Sequence, residues 1–376
     1  MDTNDTFEIF LTAPPGMEQT LQREAVEIGF SGAKTVPGGV TLEGDWADVW
    51  RANLQLRGAA RVLARIGSFR AFHLAQLDKR ARKFPWSDVL RADVPVRVET
   101  TTNKKSKIYH AGAATQRIER AISEELGAEI SAEAPIAVKL RIEDNLCTFS
   151  VDTSGEGLHK RGHKTAVGKA PMRENLAALF LRDCGFTGDE PVVDPMCGSG
   201  TFVIEAAEIA KGLFPGRSRS FAFEQMASFD SVAWEALRAK QETRETSARF
   251  YGSDRNAGAV EMATANAERA GLAELVQITQ HAVSDLTPPV LDPNGEPGLV
   301  IVNPPYGARI GNKKLLYALY AALGETLMSR FSGWRVGIVT SETSLAKATK
   351  LPFKPFGAPV AHGGLKIRLF QTGPLP

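Results

Sequence analysis

The sequence predicts an α/β chain, with a doubly wound parallel sheet over residues 171–376 preceded by smaller α+β units in the first 155 residues. Three observations predict it. From Pro171 onward, helical periodicity alternates with short apolar runs, the pattern of β-α-β units. Two of those runs, Pro191-Val192-Val193-Asp194 and Leu299-Val300-Ile301-Val302, lack polar alternation, as strands covered on both faces do. The loop Pro195-Met196-Cys197-Gly198-Ser199-Gly200-Thr201 joins such a strand to a helix, at the end of the sheet where folds of this kind hold their ligands.

In chain order, residues 7–11 read as a strand. Residues 16–28 read as an amphipathic helix with Met17, Leu21, Ala25 and Ile28 on one side, and 39–42 as a returning strand. Residues 111–126 form a second helix. The alternating runs 136–142 and 146–151 form a hairpin through Glu143-Asp144-Asn145. The whole chain carries a net charge of only +2, but residues 51–110 hold fourteen Lys and Arg against four acids. Within that block Arg57, Arg61 and Arg65 recur every four residues, on one face of a helical segment. Lys104, Lys105 and Lys107 follow the run 94–98 in a polar loop. The imbalance suits either a polyanion-binding surface or a solvated face. Residues 153–170, with Lys160, Arg161, Lys164 and Lys169, read as a polar, basic connector.

Beyond the connector, 173–182 is a helix, 191–194 a strand ending in the carboxylate of Asp194, and 202–211 the helix opened by the glycine loop. The loop is not a Walker A sequence, because Thr201 rather than Lys follows Gly200. It is not a dinucleotide fingerprint either, because Val203 stands where Gly or Ala is wanted. The next strand, 248–253, delivers Asp254 to receive the two hydroxyls of a ribose. Asp254 lies much farther along than the roughly 20 residues usual for a ribose acid. An insertion at 212–247, with a polar helix around Trp234, accounts for the distance. A third strand, 277–280, precedes Asp285, which is placed either to meet an adenine amino group or to act as an exposed cap. After strand 299–302, Pro304 and Pro305 end the pairing because neither has an amide hydrogen. They leave the Asn303 Oδ1 and the Pro304 carbonyl as a stiff pair of acceptors beside the Tyr306 ring. That bracket suits an exocyclic amine on a planar base; taken alone, the same stretch is also a strand followed by a turn.

At 376 residues the chain exceeds one typical core, so two or three domains are expected. It has no run of ~18 apolar residues and a polar, acidic start, so a cytoplasmic location is expected. The three cysteines show no paired spacing and the six histidines no ligand pattern, so no metal is expected.

The stretches 194–201, Gly252-Ser253-Asp254 and Asn303-Pro304-Pro305-Tyr306-Gly307 together resemble the motifs of S-adenosylmethionine-dependent RNA methyltransferases that carry a THUMP domain. So do Gly155-Glu156-Gly157-Leu158-His159-Lys160-Arg161-Gly162, Arg173-Glu174-Asn175-Leu176-Ala177-Ala178 and Gly38-Gly39-Val40, so the resemblance runs over nearly the whole chain. It is greatest to the guanine-N2 half of the bacterial bifunctional large-subunit ribosomal RNA methyltransferases and their stand-alone relatives, and the chain ends where that half ends.

The resemblance implies a Rossmann-like class I methyltransferase sheet over 171–376, closed by an antiparallel pair at 353–360 and 365–371. It implies a ferredoxin-like part at 1–48, a THUMP RNA-binding domain at 49–155 and a basic linker at 156–170. It makes Asp194, Cys197, Gly198, Gly200, Thr201, Asp254 and Asp285 cofactor contacts, with Cys197 as a small packing residue within the loop. Asn303, Pro304 and Tyr306 become the catalytic bracket. Arg57, Arg61, Arg65, Lys104, Lys105, Lys107, Lys160 and Arg161 become RNA contacts. One departure is Ala282, where the family often has an acid. The expected reaction is methylation of a guanine N2 amine in RNA, ribosomal or transfer. Adenine or glutamine amine methylation, and a non-catalytic RNA-binding assembly factor, are the competing functions.

Overall fold

A computed structural model describes residues 6–165, 172–290, 295–307 and 313–376. The chain divides into two compact units, one comprising Met1–Ala13, Gln22–Leu158 and Arg219–Lys240, the other Pro14–Leu21, His159–Ser218 and Gln241–Pro376.

The first unit holds strands β1 (Phe7–Thr12), β2 (Lys34–Val36), β3 (Gly39–Gly44), β4 (Arg61–Arg70), β5 (Val96–Thr102), β6 (Ile136–Glu143) and β7 (Leu146–Asp152). They form one sheet in the order β2-β3-β1-β4-β7-β6-β5. Strand pairs are antiparallel except β5 with β6. The β1–β4 pairing, Ile9 opposite Ala64, joins the strands before residue 48 to those after it. Alternation sets the buried face: Ile9 and Leu11 of β1, and Val138, Leu140 and Ile142 of β6, are buried. Asp144 (φ 48°) and Asn145 (φ 65°) form the two-residue turn of the β6–β7 hairpin, as residues tolerant of positive φ can. Helices α2 (Trp46–Gln55), α3 (Leu74–Ala81) and α4 (Ala111–Leu126) accompany these strands, and the division between the units falls within α1 (Glu18–Glu27), after Leu21. Asp45 and Asp48 close a reciprocal capping box at the start of α2.

One expectation needs correction here. Arg57, Arg61 and Arg65 do not share a helical face: α2 ends at Gln55, Arg57 lies in a connection, and Arg61 and Arg65 belong to β4. A spacing of four is even and so also returns to one side of a strand, and Val62-Leu63-Ala64 supplies the strand-forming residues between. Of the inserted segment, residues 219–240 fold into this unit. Their helix α7 (Ser231–Arg238) buries Trp234 against Phe221 and Phe223, at 5.8 and 5.0 Å between ring centres.

The second unit holds β8 (Val192–Asp194), β9 (Phe250–Asp254), β10 (Val276–Gln280), β11 (Leu299–Val302), β12 (Arg335–Thr340), β13 (Val360–His362) and β14 (Leu365–Gln371). Their order is β10-β9-β8-β11-β12-β14-β13. The first five are parallel, and β14 runs antiparallel to both neighbours. This is the doubly wound sheet that the apolar runs predict, with the strand order reversing between β8 and β11. The closing pair differs from expectation. Only Val360–His362 pairs with β14, and Phe353 makes a single bridge to Thr372. Pro352, Pro355 and Pro359 have no amide hydrogens for a ladder, which shortens the strand.

Helices α5 (Glu174–Asp183), α6 (Thr201–Ala210), α8 (Ala257–Arg269), α9 (Lys313–Arg330) and α10 (Thr343–Ala348) complete the unit. Val300 and Val302 of β11 and Ile338 of β12 meet Tyr320, Leu323 and Leu327 of α9 in its core. Among the described residues no helix is long and apolar enough to cross a membrane.

Gly324 of α9 lies so close to the chain after α10 that a β-carbon there would overlap the Thr349 carbonyl. In an open helix Gly→Ala gains about 1 kcal/mol. Here the backbone clash outweighs that gain, so Gly324→Ala should lower unfolding free energy by about 1–3 kcal/mol, read as a lower denaturation midpoint with an unchanged m-value. A stabilised variant would mean that α9 and α10 are free to separate.

Candidate active site

The glycine loop and its partners assemble at the carboxyl ends of β8 and β9. Asp194 closes β8 almost fully buried, and its Oδ1 accepts from the Met196 amide at 3.1 Å. The Cys197 amide donates to the Ser253 carbonyl at 2.9 Å, and the Gly200 amide to the Cys197 carbonyl at 2.8 Å, which tightens the loop against β9. Gly198 (φ 53°) and Gly200 (φ 83°) sit in the left-handed region that L side chains rarely adopt. A β-carbon on Gly198 would meet nothing within 4 Å, so that stretch of backbone is open to a ligand. The Gly198 amide donates to Asp254 Oδ2 at 3.2 Å, and the Asn256 amide to Asp254 Oδ1 at 2.9 Å. The fold therefore brings Asp194, Cys197, Gly198, Gly200 and Asp254 together.

Burial pushes the Asp194 carboxyl up to about 8, the nearby Asp254 adding to the effect and the Met196 amide opposing it. Burial raises the Cys197 thiol well above its ordinary value, and its sulfur packs beside Gly252. Asp194 and Asp254 nearby add to the effect, so Cys197 is a packing residue rather than a thiolate. Thr201, the first residue of α6, is also buried. Its hydroxyl accepts from Lys164 Nζ at 2.7 Å and is 3.4 Å from the Met172 carbonyl. Lys164 Nζ lies 3.0 Å from Glu174 Oε1, so this hydroxyl serves the scaffold behind the loop. Asp285 stands apart on a short 3-10 turn, exposed. Among the described residues no hydrogen bond ties it to Asp194 or Asp254.

The second half of the site follows β11. Asn303 Oδ1 is buried and has no hydrogen-bond partner among the described residues. Pro304 is buried beside it, and the half-buried Tyr306 ring packs on the core cluster of β11, β12 and α9. Burial pushes the Tyr306 hydroxyl up to about 12, so it stays neutral. The loop leaves through Gly307 (φ 85°), whose amide donates to Glu342 Oε1 at 3.1 Å. Glu342 follows β12, its own amide donating to Thr340 Oγ1 at 3.2 Å, and the Tyr320 hydroxyl donates to the same Thr340 oxygen at 3.2 Å. Sequence reasoning missed Glu342, for which the only signal is an acid just past the end of an apolar strand.

The expected RNA contacts separate into two groups. Lys104, Lys105 and Lys107 are exposed on a loop that Asn145 Oδ1 fixes by accepting the Lys107 amide at 2.8 Å, and Lys160 is also exposed. Arg61 pairs with Asp152 at 2.6 Å, and Arg65 pairs with Glu8 while lying 5.0 Å over the Phe10 ring. Arg57 and Arg161 are buried, Arg161 at 1% exposure with its Nε 2.9 Å from Glu205 Oε1. These two are corrected: a buried guanidinium, answered in the case of Arg161 by a carboxylate, offers nothing to a phosphate.

Comparison with known proteins places this geometry. The family described as RMKL-like, methyltransferase domain matches residues 161–354, and the RlmL ferredoxin-like domain matches residues 8–63. A structure from Listeria monocytogenes, described as a predicted N6-adenine-specific DNA methylase, is 29% identical, with 98% of this chain and 97% of that one covered and a TM-score of 0.84. SMU.472, whose structure is complexed with S-adenosylhomocysteine, is 28% identical over 99% of each chain with a TM-score of 0.86. TrmN from Thermus thermophilus is 19% identical over 99% of this chain and 100% of that one, TM-score 0.75, a likeness of fold alone.

The cofactor is S-adenosylmethionine, and the residues present fit it. Asp194 is a buried carboxyl with no cation beside it among the described residues, Gly198 leaves its face open, and Asp254 stands at the end of β9. Because the Asp194 carboxyl is held up to about 8, it is largely protonated at neutral pH in the free protein. A cationic ligand group placed against it favours the carboxylate. Cofactor binding at neutral pH should therefore release up to about one proton, and affinity should rise as pH rises towards 8. Calorimetry in buffers of different ionisation enthalpy measures the release, which Asp194→Asn should abolish. Buffer-independent heats in the wild type would place the cation elsewhere.

Proposed function

The chain belongs to the RMKL-like methyltransferases, and from that premise we propose that it methylates the exocyclic N2 amine of a guanine in RNA, with large-subunit ribosomal RNA as the substrate. The observation that carries the proposal is the buried Asn303 Oδ1, which has no hydrogen-bond partner among the described residues. A buried acceptor without a donor costs about 1–3 kcal/mol, a cost that an arriving N–H group relieves.

The amine of guanine is a poor nucleophile because its lone pair is delocalised into the ring. On this reading Asn303 Oδ1 and the Pro304 carbonyl accept its two hydrogens, turn the nitrogen towards the methyl donor and stabilise the positive charge it develops. Tyr306, neutral and flat, stacks on a base taken out of its helix. Asp194 and the backbone of Gly198–Gly200 hold the methionine end of the cofactor and Asp254 its ribose, with Asp285 a candidate for the adenine. Bound there, S-adenosylmethionine supplies an electrophilic methyl group. No strong base is needed, because the proton leaves once the nitrogen is cationic.

RNA as the polymer is supported by the RlmL ferredoxin-like match over residues 8–63 and by the exposed Lys104, Lys105 and Lys107. We assign RNA docking to a THUMP region within residues 49–155, which the ferredoxin-like match overlaps as far as residue 63; residues 166–170 of the expected linker lie outside the described residues. Methylation of an adenine amine is the second reading, favoured by the description of the Listeria relative. Both bases present a planar amine to the same bracket, so product identity decides between them.

Asn303→Ala should cost a factor of roughly 10² to 10³ in turnover while cofactor affinity changes far less. The assay is labelled-methyl transfer to protein-free ribosomal RNA, followed by nucleoside analysis. N2-methylguanosine supports the proposal, methyladenosine replaces it with the second reading, and full activity in the variant makes 303–306 a mere turn.

Exchanging Lys104, Lys105 and Lys107 for Gln should weaken RNA binding uniformly across sequences. It should also flatten the slope of log affinity against log salt by about 2–3, as roughly 0.7–0.9 counterions are released per phosphate contact. An unchanged slope would mean that the loop is ordinary solvated surface.

A further inference from the structure

Resting on the guanine reading, we infer that Glu342 is the specificity-determining residue, reading the N1–H of guanine beside the amine bracket. The placement follows from the sheet. β12 lies next to β11, with Val302 opposite Ile338, so the chain leaving β12 emerges beside the chain leaving β11. Glu342 is there tied to the bracket's own loop, Oε1 accepting the Gly307 amide at 3.1 Å. Its main chain is pinned from the other side by Thr340 Oγ1, which the Tyr320 hydroxyl in turn holds. The second oxygen, Oε2, has no partner among the described residues, and no Lys or Arg there forms an ion pair with the group. The loop after β11 is thus flanked by a fixed carboxylate with one oxygen to spare.

The chemistry of the base edge gives that oxygen a task. On guanine the N2 amine is next to N1–H, so the edge offers donors side by side. On adenine the amine is next to N1, a bare acceptor. Asn303 Oδ1 and the Pro304 carbonyl can satisfy an amine of either kind, so the bracket alone does not separate the two bases. A carboxylate alongside does: it takes a charge-assisted hydrogen bond from N1–H and faces lone pair to lone pair with adenine N1. Sites that hydrogen-bond an N–H reject analogues that lack it far more strongly than apolar pockets reject a missing methylene.

The test uses synthetic oligoribonucleotides spanning the nucleotide that the wild type methylates in protein-free ribosomal RNA, carrying there either guanosine or 2-aminopurine riboside. The analogue keeps the 2-amine and replaces N1–H by an acceptor. The wild type should prefer guanosine by roughly 10²-fold or more in kcat/KM. Glu342→Gln keeps an oxygen for the Gly307 amide and gains an N–H that can meet the analogue, so its preference should narrow to within about 10-fold. Glu342→Asp, which keeps the charge, should keep the direction of preference. S-adenosylhomocysteine affinity, measured alongside, reports that each variant is folded. If Glu342→Gln lowers both substrates equally and leaves the ratio unchanged, Glu342 only holds the loop and the inference is overturned while the guanine reading stands. A wild type that methylates adenine, or no RNA at all, overturns the guanine reading and this inference with it.

Discussion

The rest of the second unit depends on the parallel register of β8 against β11, Val192 beside Leu299 and Val193 beside Val300. These strands come from segments more than a hundred residues apart, yet they leave the sheet side by side, one into the glycine loop and the other into the amine bracket. The register is locked at its entry. The Leu299 amide donates to the Pro191 carbonyl at 3.0 Å, and Gly298 lies so near that carbonyl that any β-carbon would overlap it. A parallel pair of this kind must be covered on both faces. Val193, Val300 and Val302 accordingly share one core with the aromatic and leucine side of α9. The pairing that makes the core also sets the two halves of the site next to each other.

Behind the glycine loop the chain has placed charges where apolar packing would be simpler. Arg161 with Glu205, Arg217 with Glu208 at 2.6 Å, and Lys164 with Glu174 and Thr201 line α6 from its first turn to its last. Buried pairs add little net stability over well-packed apolar groups, but losing one partner strands the other at about 3–5 kcal/mol. Their effect is therefore positional. They fasten the segment 161–164 to the helix that the glycine loop opens, so the loop's φ-positive turns are held from below as well as by β9.

What could be read from sequence follows from how local each constraint is. The Asn303-Pro304-Pro305 stop, the glycine loop that joins a strand to a helix and the unalternating strands are written in covalent or nearest-neighbour terms, and all stand where expected. Arg57, Arg61 and Arg65 misled because a period of four fits a strand as well as a helix. Composition counted Arg161 as surface charge, although only the tertiary fold reveals Glu205 beside it. The family resemblance alone places residues 353–360 in the closing pair, and Pro355 and Pro359 deny them the ladder. Glu342 was invisible because its meaning comes from β12 lying beside β11, a fact that no window of sequence contains. Likewise the joining of β1 to β4 into one sheet rests on a pairing between segments some fifty residues apart.

The ionisation states around the bracket decide what kind of chemistry it can host. Burial keeps the Tyr306 hydroxyl neutral at about 12 and holds the Cys197 thiol far from its thiolate, so neither is a base at neutral pH. What the loop presents is a buried acceptor, Asn303 Oδ1, left without a donor among the described residues. Such an atom weakens the free protein by an amount that an amine restores and a carbonyl does not, because a carbonyl brings a second lone pair to the first. The strain is thus chemically selective before any contact with the rest of a polymer is made. On the proposed reading, the folding free energy forgone at Asn303 is recovered only when a planar amine is seated, and the charge that then develops on its nitrogen deepens the same interaction in the transition state rather than in the ground state.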